Sequence, residues 1–260
     1  MSEQQMVQLK MEGPVAILTL NRAKQLNALN RQVLTELKEH LDALQTQKDV
    51  RTVLVTGDGR AFAAGADISQ MNNLTPNEAQ EFAQFGQSVF SQLEALPQPT
   101  IALVQGYALG GGMELAMACV VRIAAQGAKF GQPEVTLGIL PGFGGSQRLP
   151  RIVGQGRALH IMLSGEMIDA EQALSYGLVT AVVPPEQLLS AGFEYADKLH
   201  KLGPVALQMV KRAVYEGAET DIQRGLALEA ALFGSCFTTA DREEGMTAFL
   251  ERRKPSFTGR

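Results

Sequence analysis

The run from Thr100 to Val121, TIALVQGYALGGGMELAMACVV, constrains the fold more than any other part of the chain. It contains no lysine or arginine and is long enough to cross a bilayer, which takes about 20 apolar residues. Two features argue against a membrane span. Gly106, Gly110, Gly111 and Gly112 break the run near its middle, and Glu114 would sit inside hydrocarbon at a cost of a few kcal/mol. The alternative is a buried strand, TIALVQG, followed by a glycine-broken turn and a buried helix beginning at MELAMA.

The neighbouring segments fit that reading. VQLKME and VAILTL are separated by Gly13-Pro14, a turn signal, and read as a hairpin. Asn30 caps a helix with Val33, Leu34, Leu37, Leu41 and Leu44 on one stripe. VRTVLVTG is a buried strand, and RAFAAGADI is a loop of small residues. Phe82, Phe85, Val89, Phe90 and Leu93 mark a second helix, ended by Pro97 and Pro99. VRIAA is a short strand, and FGQPEVTLGILPGFGG reads as a long ordered loop, with a strand-like run after Pro133. Helices are expected at Ser146–Leu163 and Ala170–Tyr176, then a strand at GLVTAVV. From about Glu186 the pattern is wholly helical. Strand–helix alternation over the first part makes this an α/β chain. The expected division is a core at 1–195 that carries the active site and a helical region at 196–260.

Bulk properties narrow the function. The 260 residues, 45% hydrophobic, supply one large core. Basic and acidic residues (23 and 27) are well mixed, with no basic run to suit a nucleic acid. The start of the chain lacks the basic flank and apolar run of a signal peptide, and two cysteines among apolar residues read as buried free thiols. Together these predict a cytoplasmic protein without a membrane partner. The three histidines, His40, His160 and His200, lie on separate helical patterns without metal-ligand spacing, so no metal is expected. There is no G-x-S-x-G elbow, P-loop or dinucleotide fingerprint.

Two carboxylates carry the chemistry that remains. A glycine triplet at a helix start leaves N–H groups unpaired and lets a ligand approach closely, at the positive end of the helix dipole. Such a site suits a developing oxyanion. Taken alone, Glu114 in the first turn is equally explained as a complement to the dipole. Glu134, in FGQPEVTLG, changes the balance: a second acid in apolar surroundings has a raised pKa and can hold or deliver a proton near neutrality.

NRAKQLNAL, GRAFAAGADI, GYALGGGMELAMA, FGQPEVTLGILPGFGG and REEGMTAFLERRKPSF together resemble the crotonase (enoyl-CoA hydratase/isomerase) superfamily nearly end to end. The resemblance implies a spiral of ββα units with a helical C-terminal trimerisation region, assembled as a homotrimer or homohexamer. It implies acyl-CoA thioester substrates and no cofactor beyond the coenzyme A of the substrate. By motif position, Ala66 and Gly111 supply the backbone N–H groups that hold the thioester oxygen. Glu114 and Glu134 match the catalytic pair of the hydratase branch, and Gly142 a backbone group that helps place the water. Arg60, Ala64 and Ile68, in or beside the adenine-loop motif, and Phe233 and Arg252, in the C-terminal helices, match coenzyme A contacts. Ser69 stands where a lysine is often found, which weakens the case for a phosphate contact there. The expected reaction is hydration of trans-2-enoyl-CoA to 3-hydroxyacyl-CoA. The alternatives are an isomerase, lyase or dehydratase of the same superfamily, or an acyl-CoA-binding protein without catalysis. Met71, Phe85 and Leu137 are either acyl-pocket or core residues.

Overall fold

The computed structural model describes residues 5–260. The chain opens on β1 (Val7–Glu12) and β2 (Val15–Leu20), an antiparallel hairpin in register from Val7 opposite Leu20 to Glu12 opposite Val15. Gly13 turns it at φ +58°, in the left-handed region that glycine enters freely. In α1 (Arg31–Thr46), the Asn30 side chain accepts the Val33 N–H at 2.8 Å, and the five predicted apolar residues are all buried. There follow β3 (Thr52–Gly57), the short α2 (Ile68–Met71) and α3 (Pro76–Ala95), which starts on a reciprocal Thr75–Glu78 capping box with Pro76 at its first position.

The apolar run then resolves into β4 (Thr100–Val104), β5 (Tyr107–Leu109), α4 (Gly111–Met117) and the start of β6 (Val121–Ala125). Among the described residues no helix is long and apolar enough to cross a membrane. β7 (Lys129–Gly131) leads to a 3-10 helix at Pro133–Leu137. Next come α5 (Gly145–Val153), α6 (Gln155–Ser164), β8 (Ile168–Asp169), α7 (Ala170–Ser175) and β9 (Ala181–Val183). Four helices close the chain: α8 (Leu188–His200), α9 (Pro204–Ala218), α10 (Ile222–Cys236) and α11 (Ala240–Leu250).

The larger sheet has the order β1-β2-β3-β4-β6-β9, parallel from β2 onward, and a smaller sheet has the order β5-β7-β8. Each pass through the middle of the chain lays one strand in the large sheet, one in the small sheet, and then a helix: β4–β5–α4, then β6–β7–α5. This is the expected ββα spiral. β4 and β6 are buried at every position, as a central parallel strand covered on both faces must be.

Four local expectations are corrected. The helix expected at Ser146–Leu163 breaks into α5 and α6 at Gly154 (φ +83°), a backbone state that ends a helix. The strand-like run after Pro133 is 3-10 helix with Val135 and Leu137 exposed, so Leu137 is not core, while Met71 and Phe85 are partly buried against the core. The three strands of the small sheet are two or three residues long, too short to show a period of two. Cys119 is fully buried as a free thiol, but Cys236 is only half-buried.

The chain forms two compact units, one running to Leu96 with Thr100–Phe193, the other Pro97–Pro99 with Glu194–Arg260, so that α8 contains the division. Within the second unit α9 packs on α10, and the buried Asp241 carboxylate accepts the Thr258 and Gly259 N–H groups at 2.6 and 2.8 Å, tying the end of the chain to α11.

Candidate active site

Gly110, at φ +49° and ψ −125°, turns the chain from β5 into α4. Its N–H donates to the Gly131 carbonyl at 2.9 Å, and its carbonyl accepts the Glu114 N–H at 3.0 Å. A Cβ on Gly110 would stand 2.9 Å from Glu134 Oε1, and one on Gly112 would overlap the Ala63 carbonyl. The triplet is therefore where the 61–67 loop, α4 and the Glu134 carboxyl converge, and side chains would hold them apart.

The 61–67 loop is pinned along its length. Phe62 N–H donates to Gln105 at 2.8 Å, Ala63 N–H to Tyr107 at 3.0 Å and Asp67 N–H to Leu29 at 2.9 Å, while Leu29 N–H donates to Gly65 at 2.8 Å. Arg22 locks its end by pairing with Asp67 at 3.1 Å and donating to the Ala28 carbonyl at 2.5 Å. Among the described residues neither the Ala66 N–H nor the Gly111 N–H is paired. Gly111 is buried and Ala66 half-buried, and N–H groups so placed are otherwise almost always satisfied, so this pair can take an acceptor from outside the chain.

Glu114 is 1% exposed. Its Oε1 accepts the Phe143 N–H at 2.8 Å and the Gly145 N–H at 2.6 Å, the latter at the N-terminus of α5. Burial outweighs these donors and pushes its carboxyl up to about 7, with the charge of Glu134 adding to the shift and Arg148 opposing it. Glu134, in the first turn of the 3-10 helix, is likewise buried and raised to about 7 by desolvation.

Gln132, wholly buried, is a partner of Glu134. With its carboxamide turned so that both ends are satisfied, its nitrogen donates to Glu134 Oε1 and Oε2 at 2.9 and 3.2 Å. A Cβ on Gly145 would meet both the Gln132 amide and Glu114 Oε1 within about 3 Å. Two acids of raised pKa thus share one lining beside unpaired backbone donors, an arrangement that can add or remove a proton next to a developing negative charge.

The other expected residues are distributed as follows. Gly142 lies on the loop before α5, where its carbonyl accepts the Gln87 side chain at 2.8 Å. Arg60 and Ile68 are exposed, and Ala64 is half-buried with its N–H donating to Leu26 at 2.9 Å. Phe233 and Arg252 belong to the second unit: Phe233 on α10 packs on Phe237 with ring centroids 5.1 Å apart, and exposed Arg252 follows α11 at φ +56°. Sequence reading missed Gln132, Arg148 and Arg22. The motif strings contain Gln132 and Arg22, and Arg148 lies three residues past one of them, but a single sequence carries no signal for partners such as Glu94 or Asp67, which lie far along the chain. Among the described residues no group of three or more His, Cys, Asp or Glu side chains could hold a metal ion.

Residues 10–260 match the enoyl-CoA hydratase/isomerase family model, and the chain belongs to that family. It is 50% identical to the crotonyl-CoA hydratase of Syntrophomonas wolfei over 96% of both chains, and 47% identical to the short-chain-enoyl-CoA hydratase of Clostridium acetobutylicum over 95% of both. Among solved structures, the enoyl-CoA hydratase of Bacillus anthracis superposes with a TM-score of 0.94 at 38% identity, covering 98% of this chain and all of the other. The architecture is therefore the crotonase fold.

Proposed function

We propose that the protein adds water across the double bond of trans-2-enoyl-CoA thioesters, with Glu114 and Glu134 as its acid/base pair. The observation that carries this reading is the convergence of two buried, proton-holding carboxyls on one lining beside the unpaired Ala66 and Gly111 N–H groups. Those donors hold the thioester oxygen and stabilise the enolate-like charge that makes C3 electrophilic. Glu114, fixed through Oε1, takes a proton from the water that attacks C3, and Glu134 supplies a proton to C2. Because the two acids interact, the protons belong to the pair. Gly142 helps place the water.

Crotonyl and short-chain thioesters are the proposed substrates, supported by the names of the two relatives. The reaction needs no cofactor beyond the coenzyme A of the substrate. By their motif positions Arg60, Ala64 and Ile68 contact the coenzyme A, and Phe233 and Arg252 match contacts that another subunit can supply. Residues 196–260 act as a helical assembly region for a homotrimer or homohexamer, supported by the strong exposure of Ile222, Phe233, Phe249 and Leu250. The free thiols fit a cytoplasmic location.

Glu114→Gln and Glu134→Gln test the mechanism by loss of crotonyl-CoA absorbance. Each is expected to lose roughly 10²–10⁴-fold in kcat, the range for a positioned acid or base, while still binding the thioester. Near-normal turnover in either variant removes that residue from the chemistry. Conversion of a 3-enoyl-CoA without hydration of crotonyl-CoA replaces hydration by isomerisation.

A further inference from the structure

Glu114 takes both of its N–H donors from the Phe143–Gly145 turn, and that turn is held from outside the reaction lining. Arg148, one turn into α5, folds its guanidinium back over Gly144 and donates through Nη1 to the Phe143 carbonyl at 3.1 Å. Gly144 sits at φ +110°, a backbone state that favours glycine, and a Cβ there would displace the Arg148 guanidinium. The rest of the fork is taken by Glu94 of α3, with Nη2 to Oε2 at 2.9 Å and Nε to Oε1 at 3.3 Å. The pair is mostly buried, at 14% and 25% exposure, and bidentate, so it has the geometry that fixes a guanidinium in place.

We propose that Arg148, clamped by Glu94, is a positioning residue for hydration: it holds the Phe143–Gly145 turn so that both N–H groups stay aimed at Glu114 Oε1. This deepens the reading above and rests on Glu114 acting as the base. Arg148 touches neither acid. It acts through the peptide it grips and through its positive charge. The charged groups facing Glu114 are Glu134, from the 3-10 helix, and Arg148, from α5, and they pull its proton affinity in opposite directions. Without Arg148 the turn loosens, and the repulsion from Glu134 is no longer opposed.

The test measures kcat, KM and the pH dependence of kcat for crotonyl-CoA in Arg148→Met, Arg148→Lys, Glu94→Gln and Glu114→Gln, and in Glu114→Gln combined with Arg148→Met. Arg148→Met should lower kcat by about ten- to a hundredfold, part of the effect of a positioned base. Its KM should change less than about threefold, and its acidic limb should move to higher pH by at least about half a unit. Arg148→Lys keeps the charge and loses the fork, so its limb should return towards the parent position while kcat recovers only in part. In the Glu114→Gln background the methionine change should cost almost nothing further. Glu94→Gln leaves every residue of the lining in place and should lower kcat with an unmoved KM. It decides the matter if Arg148→Met fails to fold. Parent-like kcat and pH limb in Arg148→Met or parent-like kcat in Glu94→Gln, while Glu114→Gln has lost turnover, overturns the proposal alone. A full additional loss in the double variant does the same. If Glu114→Gln itself keeps turnover, the assignment of the base is what fails.

Discussion

Removing the charge of Glu114 should make the protein more stable, and only at neutral to alkaline pH. In the folded chain this carboxyl binds its proton up to about pH 7, against an ordinary 4.5. The folded state therefore holds a proton between those values that the unfolded chain has released. Stability falls as pH rises through that window, and the full penalty persists above it. A shift of about 2.5 units, at roughly 1.4 kcal/mol per unit, sets a ceiling of about 3 kcal/mol. Part of the shift comes from repulsion by Glu134, whose own burial penalty remains in the variant. In Glu114→Gln the side-chain oxygen can still accept the Phe143 and Gly145 N–H groups, so both hydrogen bonds survive. The expected gain is about 1–3 kcal/mol near pH 9, shrinking towards zero near pH 5. Urea unfolding of parent and variant at both pH values and one protein concentration measures it, the concentration being fixed because assembly shifts apparent stability. A difference that does not change with pH, or a variant less stable than the parent at pH 9, refutes the assignment of a strained, buried charge.

Three more outcomes follow from the same contacts. The kcat/KM profile should fall on the acid side with an apparent pKa clearly above 5.5, since both acids are held near 7 rather than 4.5; a limb near 4.5 would mean that neither is buried in the working enzyme. Asn27→Ala should destabilise by about 2–4 kcal/mol in urea titration without a large change in KM, because the wholly buried Asn27 amide donates to the Asp58 and Ala61 carbonyls at 2.9 and 2.8 Å and accepts the Arg22 N–H at 2.9 Å. Gly112→Ala should cost at least about 2 kcal/mol and lower kcat as well, since its Cβ would run into the Ala63 carbonyl and push the Ala66 loop away; unchanged turnover would show that the loop tolerates displacement.

The amino-acid sequence by itself determined the strands and helices whose period is long enough to read: the Gly13-Pro14 hairpin, the Asn30-capped α1, α3 ahead of β4, and the start of α4 at the glycine triplet. It also determined which two acids stand out, because a carboxylate within an apolar or glycine-rich segment is visible without coordinates. Strands of two or three residues that exist only because β5, β7 and β8 pair with one another were not legible, since their hydrogen bonds come from partners far along the chain. The break at Gly154 was hidden for a different reason: a single positive φ interrupts an otherwise continuous helical pattern.

What tertiary structure alone decided is the environment of each acid. Burial takes Glu114 out of water and raises its carboxyl to about 7, and the side chain is aimed because Phe143 and Gly145 turn their N–H groups to it under the grip of Arg148 and Glu94. Burial, the distance between charges and the direction of a peptide N–H belong to the packed chain, and residues separated by dozens of positions acquire them only when folding sets them side by side.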